Sequence, residues 1–118
     1  MARLSVDEQF LVLNLKGLEK AEGFHGDIRV PISAVRDIRL AQEPWSELRG
    51  IRAPGTGVPG VIAVGTRRAS GIKDFAAIHG KGPAVVVELE GAEYDHLIVS
   101  EDDAEVAVLE LRKQLGMN

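Results

Sequence analysis

The end of the chain constrains the fold most. Residues 84–115 read AVVVELEGAEYDHLIVSEDDAEVAVLELRKQL. The first half is two strand-like runs on either side of Gly91 and Ala92, whose Gly-X order suits a type II′ hairpin turn. The second half changes period. Ala104, Val108, Leu111 and Leu115 recur at 4-3-4 spacing, with Val106 and Leu109 widening the stripe and Gly116 as a stop. Ser100 and Asp103 form an S-x-x-D capping box, and Glu101, Asp102 and Asp103 suit the positive end of a helix dipole. Such a helix has to bury its stripe against something, and the elements before it are strands. The expected class is mainly β with a C-terminal α-helix, a curved antiparallel sheet or barrel capped by that helix.

Upstream the pattern is of short extended pieces. ARLSV reads as an opening strand. FLVLNLK puts Leu11, Leu13 and Leu15 on one face and Asn14 and Lys16 on the other, the period of a half-buried strand. GLEKAEGFHG is rich in helix formers and reads as a helical turn. DIRVPISAVRDIRLA reads as two extended pieces bent at Pro31, because proline removes a ladder donor and belongs at an edge or corner. QEPWSELRG breaks the pattern at Pro44. VIAVGTR is a strand, and IKDFAAIH and AVVVELE, flanking GKGP, are expected to form a hairpin.

Two of these stretches carry a resemblance. VPISAVRDIRL resembles the strand-corner-strand of pleckstrin-homology-like (PH-like) domains in their small bacterial form. Residues 84–115 resemble the last hairpin and capping helix of such domains. Over nearly its whole length the chain is also similar to small actinobacterial proteins. The resemblance implies a PH-like barrel of about seven strands formed by one domain, 1–118, and a scaffold rather than an activity. Lipid-binding members of that superfamily carry a basic cluster between the first two strands. Here that place is Asp7, Glu8 and Gln9, so the usual phosphoinositide route is not implied.

The stretch IRAPGTGVPGVIAVG contains Gly55, Gly57 and Gly60 at G-x-G-x-x-G spacing. A dinucleotide turn needs a strand before the first glycine and a helix after the third. After Gly60 comes VIAVGTR, a strand. Pro59 removes an amide from any phosphate cradle, and no acidic residue stands at the ribose position. A phosphate-binding P-loop is excluded as well, since Thr56 occupies the place of the lysine. The two prolyl-glycine pairs instead read as type II turns, making residues 47–60 a stiff connecting loop. Long ordered loops are often functional.

Charge is distributed unevenly. Residues 49–82 carry six lysines and arginines against one acid, Asp74, whereas residues 83–118 carry two against nine. The two segments are expected to face one another, within the fold or between copies. Arg49, Arg52, Arg67, Arg68 and Lys73 are the candidate contact residues, with Trp45 beside them as an aromatic anchor. They suit a protein partner, a homo-oligomer, or a peripheral anion or lipid headgroup. The net charge of −4 and the lack of aromatic residues in the basic set argue against nucleic acid.

No motif calls for catalysis, a metal or a cofactor. His25, His79 and His96 stand in separate segments without metal-ligand spacing, and no serine sits in a nucleophile elbow. An enzyme here would need a site assembled by the fold from His79, His96 or Asp74, with two of those side chains within hydrogen-bond reach. With no cysteine, no signal-like leader and no apolar run near the ~20 residues of a membrane span, a cytoplasmic protein is expected. The expectation is a non-catalytic interaction module working through residues 49–60.

Overall fold

The computed structural model describes residues 2–15, 27–58 and 60–117, and for 51–56 the backbone alone. The helical reading of GLEKAEGFHG, and His25 with it, lies outside the described residues. Among those described are nine strands: β1 (Arg3–Asp7), β2 (Phe10–Asn14), β3 (Ile28–Pro31), β4 (Val35–Ala41), β5 (Ile51–Val58), β6 (Ile62–Ala69), β7 (Ile72–His79), β8 (Ala84–Leu89) and β9 (His96–Ser100). One helix, α1 (Ala104–Gln114), follows the last strand. The fold is mainly β with a C-terminal helix, as the pattern implies.

The strands form two sheets rather than a closed barrel. β1, β2 and β3 make a small antiparallel sheet, and the other six run in the order β4-β8-β9-β7-β6-β5. Alternation explains how the sheets meet. Leu11, Leu13 and Leu15 are fully buried, and they pack with Ile38, Phe75, Val85, Val87, Leu97 and Val99 from the inner face of the large sheet. Tyr94 closes this core edge-on against Phe75, ring centroids 5.8 Å apart. From α1 come Ala104, Val108 and Leu111. Val106 and Leu109 do not widen the buried stripe. At 100° per residue they fall outside the arc of Ala104, Val108 and Leu111, where they are 55% and 63% exposed.

Four local expectations are corrected. β7 and β8 form no hairpin, because β9 lies between them, parallel to β7 and antiparallel to β8. Both β8 and β9 are buried on both faces along most of their length, and such strands belong in a sheet's centre. The large sheet is accordingly mixed, not wholly antiparallel. Residues 47–60 are not a loop with two turns, since 51–58 is β5, an edge strand paired with β6. Only the second turn forms, with the Val61 N–H donating to Val58 O at 2.9 Å and Gly60 at φ 79°. The Ala53–Pro54–Gly55 bend becomes a register shift between Arg52 and Gly55. Finally, Ser100 is not a helix cap. It ends β9, and its Oγ accepts from the His79 N–H at 3.0 Å. Asp103 stands at the cap in a left-handed conformation without a side-chain bond.

Candidate functional site

The outer face of the large sheet holds the densest arrangement of functional groups. At its centre the side chains are small: Ala41, Ala63, Ala76, Ala84 and Val86, with Ile78 and Ile98. They are small because something lies on them. After β4 the chain turns back over the sheet as a strap, residues 42–50, whose 3-10 turn Pro44–Glu47 starts on a buried proline. Trp45 and Leu48 pack from the strap onto this alanine-rich face. The Trp45 Nε1–H also donates to Gly80 O at 2.7 Å, so the indole both covers and tethers.

Beside this apolar patch the register aligns a polar row. Glu88 on β8 stands opposite His96 on β9, His96 beside Asp74 on β7, and Asp74 opposite Arg67 on β6. Arg52 on β5 follows in the same register. Asp74 is fully buried and fully used. Arg49, on the strap, donates to both its carboxylate oxygens at 2.8 Å, and the His96 backbone N–H donates to Oδ1 at 3.0 Å. The bidentate contact with Asp74 holds the Arg49 guanidinium above its ordinary pKa, against the opposing effect of burial.

A second set ties the strap at Glu47, where the Trp45 turn ends. Arg39 donates to both oxygens of Glu47, at 2.7 and 3.2 Å, and to Glu88 at 2.8 Å. Those hydrogen bonds hold Glu47 below the usual carboxylate range and push Arg39 up. Arg67 reaches over with Nε and Nη2 to the carbonyls of Arg49 and Gly50, at 3.3 and 3.0 Å. Gly50 sits at φ 74°, and a Cβ there would come within 2.2 Å of Arg68 O, so only glycine lets the strap turn into β5. The His96 Nδ1 is buried without a hydrogen-bond partner among the described residues.

The structure divides the residues that sequence reasoning selected. Trp45, Arg49 and Arg67 converge on the strap, with Arg52 opposite Arg67 by register. Arg68 and Lys73 pair with each other on the other face of β6 and β7. Lys73 lies 4.9 Å from the Tyr94 ring centroid and 2.9 Å from Glu93, while Arg68 is exposed. The basic set therefore forms no single patch. The basic middle does meet the acidic end within the fold, through Lys73 with Glu93 and the Lys73 N–H with Asp95 Oδ2 at 2.8 Å.

His79 and His96 are not brought together. Asp74, beside His96, and His79 are five residues apart on β7, about 16 Å at strand spacing. His79 lines a different cleft, of about 450 Å³, with Gln42, Ser100, Glu101 and Asp102. Among the described residues no group of three or more His, Asp or Glu could hold a metal ion. No described helix is long and apolar enough to cross a membrane.

Of the surface next to the strap, sequence reasoning named Trp45 and the stretch 49–60 but missed Val61 and Lys81. A hollow of about 390 Å³ lies among Glu43, Trp45, Ser46, Gly60 and Lys81. Flanking Gly60, Val58 and Val61 are 51% and 59% exposed. The signal was present in V-P-G-V, two β-branched apolar residues at the corners of a turn where polar residues are usual. No family model, curated protein or solved structure matches the chain.

Proposed function

We propose that this protein is a non-catalytic interaction module that contacts a protein partner, or a second copy of itself, beside its strap. One observation carries the reading. The partly exposed Trp45 indole borders a hollow with Lys81, next to two valines more than half exposed. An aromatic anchor in a rigid seat with apolar neighbours is the composition of an interface centre. The strap's ionic contacts preset that seat, because the bonds of Glu47 and Arg49 fix the chain where it leaves the Trp45 turn, while the Trp45 Nε1–H holds the indole to Gly80 O.

Two further aspects belong to the proposal. The succession of two packed sheets and a terminal helix supports a PH-like scaffold, and the cysteine-free chain suits a reducing, cytoplasmic setting. A headgroup or anion site on the basic segment is less favoured. Arg49, Arg67 and Lys73 already serve carboxylates or carbonyls of the fold.

The test is a Val58→Lys/Val61→Lys double variant, which alters only side chains already facing water. With the wild type as bait, affinity capture recovers a bound species, or light scattering gives a mass that grows with concentration. Either behaviour is lost in the double variant. The same captured species and the same mass for both proteins would overturn the reading.

A further inference from the structure

We propose that the open edge of β1, where it faces the first turns of α1, is a second docking site that takes an extended, cationic segment of a protein partner as an added strand. This goes beyond the surface beside the strap and rests on different residues.

An open strand edge is a template for another strand, and folds normally blunt it. Of the four sheet edges among the described residues, three are blunted. β5 carries Pro54 and a register shift. β4 carries a register shift between Val35 and Asp37, and Arg112 donates to Ile38 O at 2.7 Å and to Asp37 at 2.8 Å. β3 has four residues and ends in proline. β1 has no proline or glycine, and its five residues pair with β2 without a register shift. Among the described residues, the side-chain contact on its outward backbone is one long bond, from the Leu4 N–H to Glu101.

The backbone of β1 is oriented for strand addition. The Leu4 N–H turns away from β2 and reaches Glu101 Oε2 at 3.4 Å. In an antiparallel pair outward groups recur at every second residue, so Val6 presents its N–H and C=O to the same side. Glu101 thus holds one oxygen where the carbonyl of an incoming strand would stand. At 3.4 Å the bond is long and readily exchanged.

A cleft of about 450 Å³ separates this edge from α1. Val106, Ala107 and Leu111 supply its apolar wall, and Glu101, Asp102, Asp103 and Glu110 its acidic rim. Among the described residues, Arg3 is the one cation lining it. Burial pushes the Glu101 carboxyl above its ordinary pKa, the mark of a negative charge short of compensation, which an arriving cation would supply. The sign of the rim selects the occupant. A strand alternating lysine or arginine with apolar residues meets the acids and covers Val106, while main-chain bonds to Leu4 and Val6 fix its register. Pairing of β1 with β1 of a second copy is disfavoured, because two acidic rims would face each other.

The probe is an acetylated, amidated Lys-Val-Lys-Val-Lys peptide, titrated into the isotope-labelled protein and followed by amide chemical shifts. The expected result is millimolar binding, with shifts concentrated at Leu4, Val6, Val106 and Glu110 and slowed hydrogen exchange at the Val6 amide. Glu101→Gln and Glu110→Gln each weaken it several-fold, and Val106→Arg, at an exposed position, abolishes it. A peptide N-methylated at both valines keeps the charge but binds far more weakly. Equal binding of that peptide or of Glu-Val-Glu-Val-Glu would overturn the proposal. So would shifts spread over other acidic surface, absence of binding at about 5 mM, or a protein that doubles its mass through β1 without peptide. The Val58→Lys/Val61→Lys protein binds the probe like the wild type, so the two surfaces stand or fall separately.

Discussion

Arg49 and Asp74 are 25 residues apart and meet through two hydrogen bonds of 2.8 Å. Asp74 is the only acid in the basic stretch 49–82, and in the sequence nothing distinguishes Arg49 from Arg52 or Arg68. The difference lies in which strand face each residue occupies and in a strap that folds back, and neither is a local property. Removing one partner of a buried pair leaves the other charge unsolvated and costs about 3–5 kcal/mol. The Arg49 side chain is 35% open to water, so Arg49→Leu is expected to cost about 2–3 kcal/mol. Adding Asp74→Asn to that variant should recover more than half of the loss, since the amide oxygen still accepts from His96. Urea unfolding of the two single variants and the double variant checks both values. Additive losses would mean that the pair is not coupled.

At the scale of elements, what the sequence reveals depends on whether the cue is local. The bend at Pro31, the V-P-G turn and the β8–β9 pairing rest on proline, glycine and neighbouring strands, and all three form. Residues 90–95 join β8 to β9, however, and the register, Glu88 opposite His96, is not that of a two-residue turn at Gly91 and Ala92. The expected β7–β8 hairpin has an equally good turn in GKGP, but turn chemistry does not name a pairing partner. The cue to the true order lies in AVVV and LIV, unbroken apolar runs that mark strands covered on both faces. The strap is illegible because its stability comes from distant groups. Glu47 illustrates this, since Arg39 holds its carboxyl below the usual value of 4.5. A carboxylate with a depressed pKa stabilises the folded state above its unfolded pKa, and that stability is lost as the pH falls through the folded value. Glu47→Gln should therefore cost about 1 kcal/mol at pH 7. The gap to the wild type should narrow below pH 4.5 and then vanish. Denaturant midpoints from neutral pH down into the acid range check this, and a pH-independent gap would assign the loss to packing instead.

Across the whole molecule the charge segregation has two destinations. Part of it is spent inside the fold, where the Lys73 ammonium meets Glu93. The rest remains as the acidic rim around the start of α1, with Glu101 beneath it. Glu101 titrates with the opposite sign to Glu47. Burial raises its folded pKa above 4.5, against a smaller opposing effect of the Leu4 N–H. The folded state then binds this proton more readily than the unfolded state, so its contribution to stability falls as the pH rises through the folded pKa. At pH 7 the Glu101 charge is a cost, one that a binding surface can carry if a cationic partner relieves it. Glu101→Gln keeps an oxygen for the Leu4 N–H and removes the charge. It should raise the melting temperature by a few degrees at pH 7, with the gain fading as the pH drops and the wild-type carboxyl takes up its proton. Scanning calorimetry at pH 7 and pH 4 distinguishes this from a packing effect, which would persist at both. A variant both more stable and weaker toward the Lys-Val probe would locate the trade between stability and recognition at one side chain. A lower melting temperature at pH 7 would mean that the carboxylate serves the edge of β1 as structure.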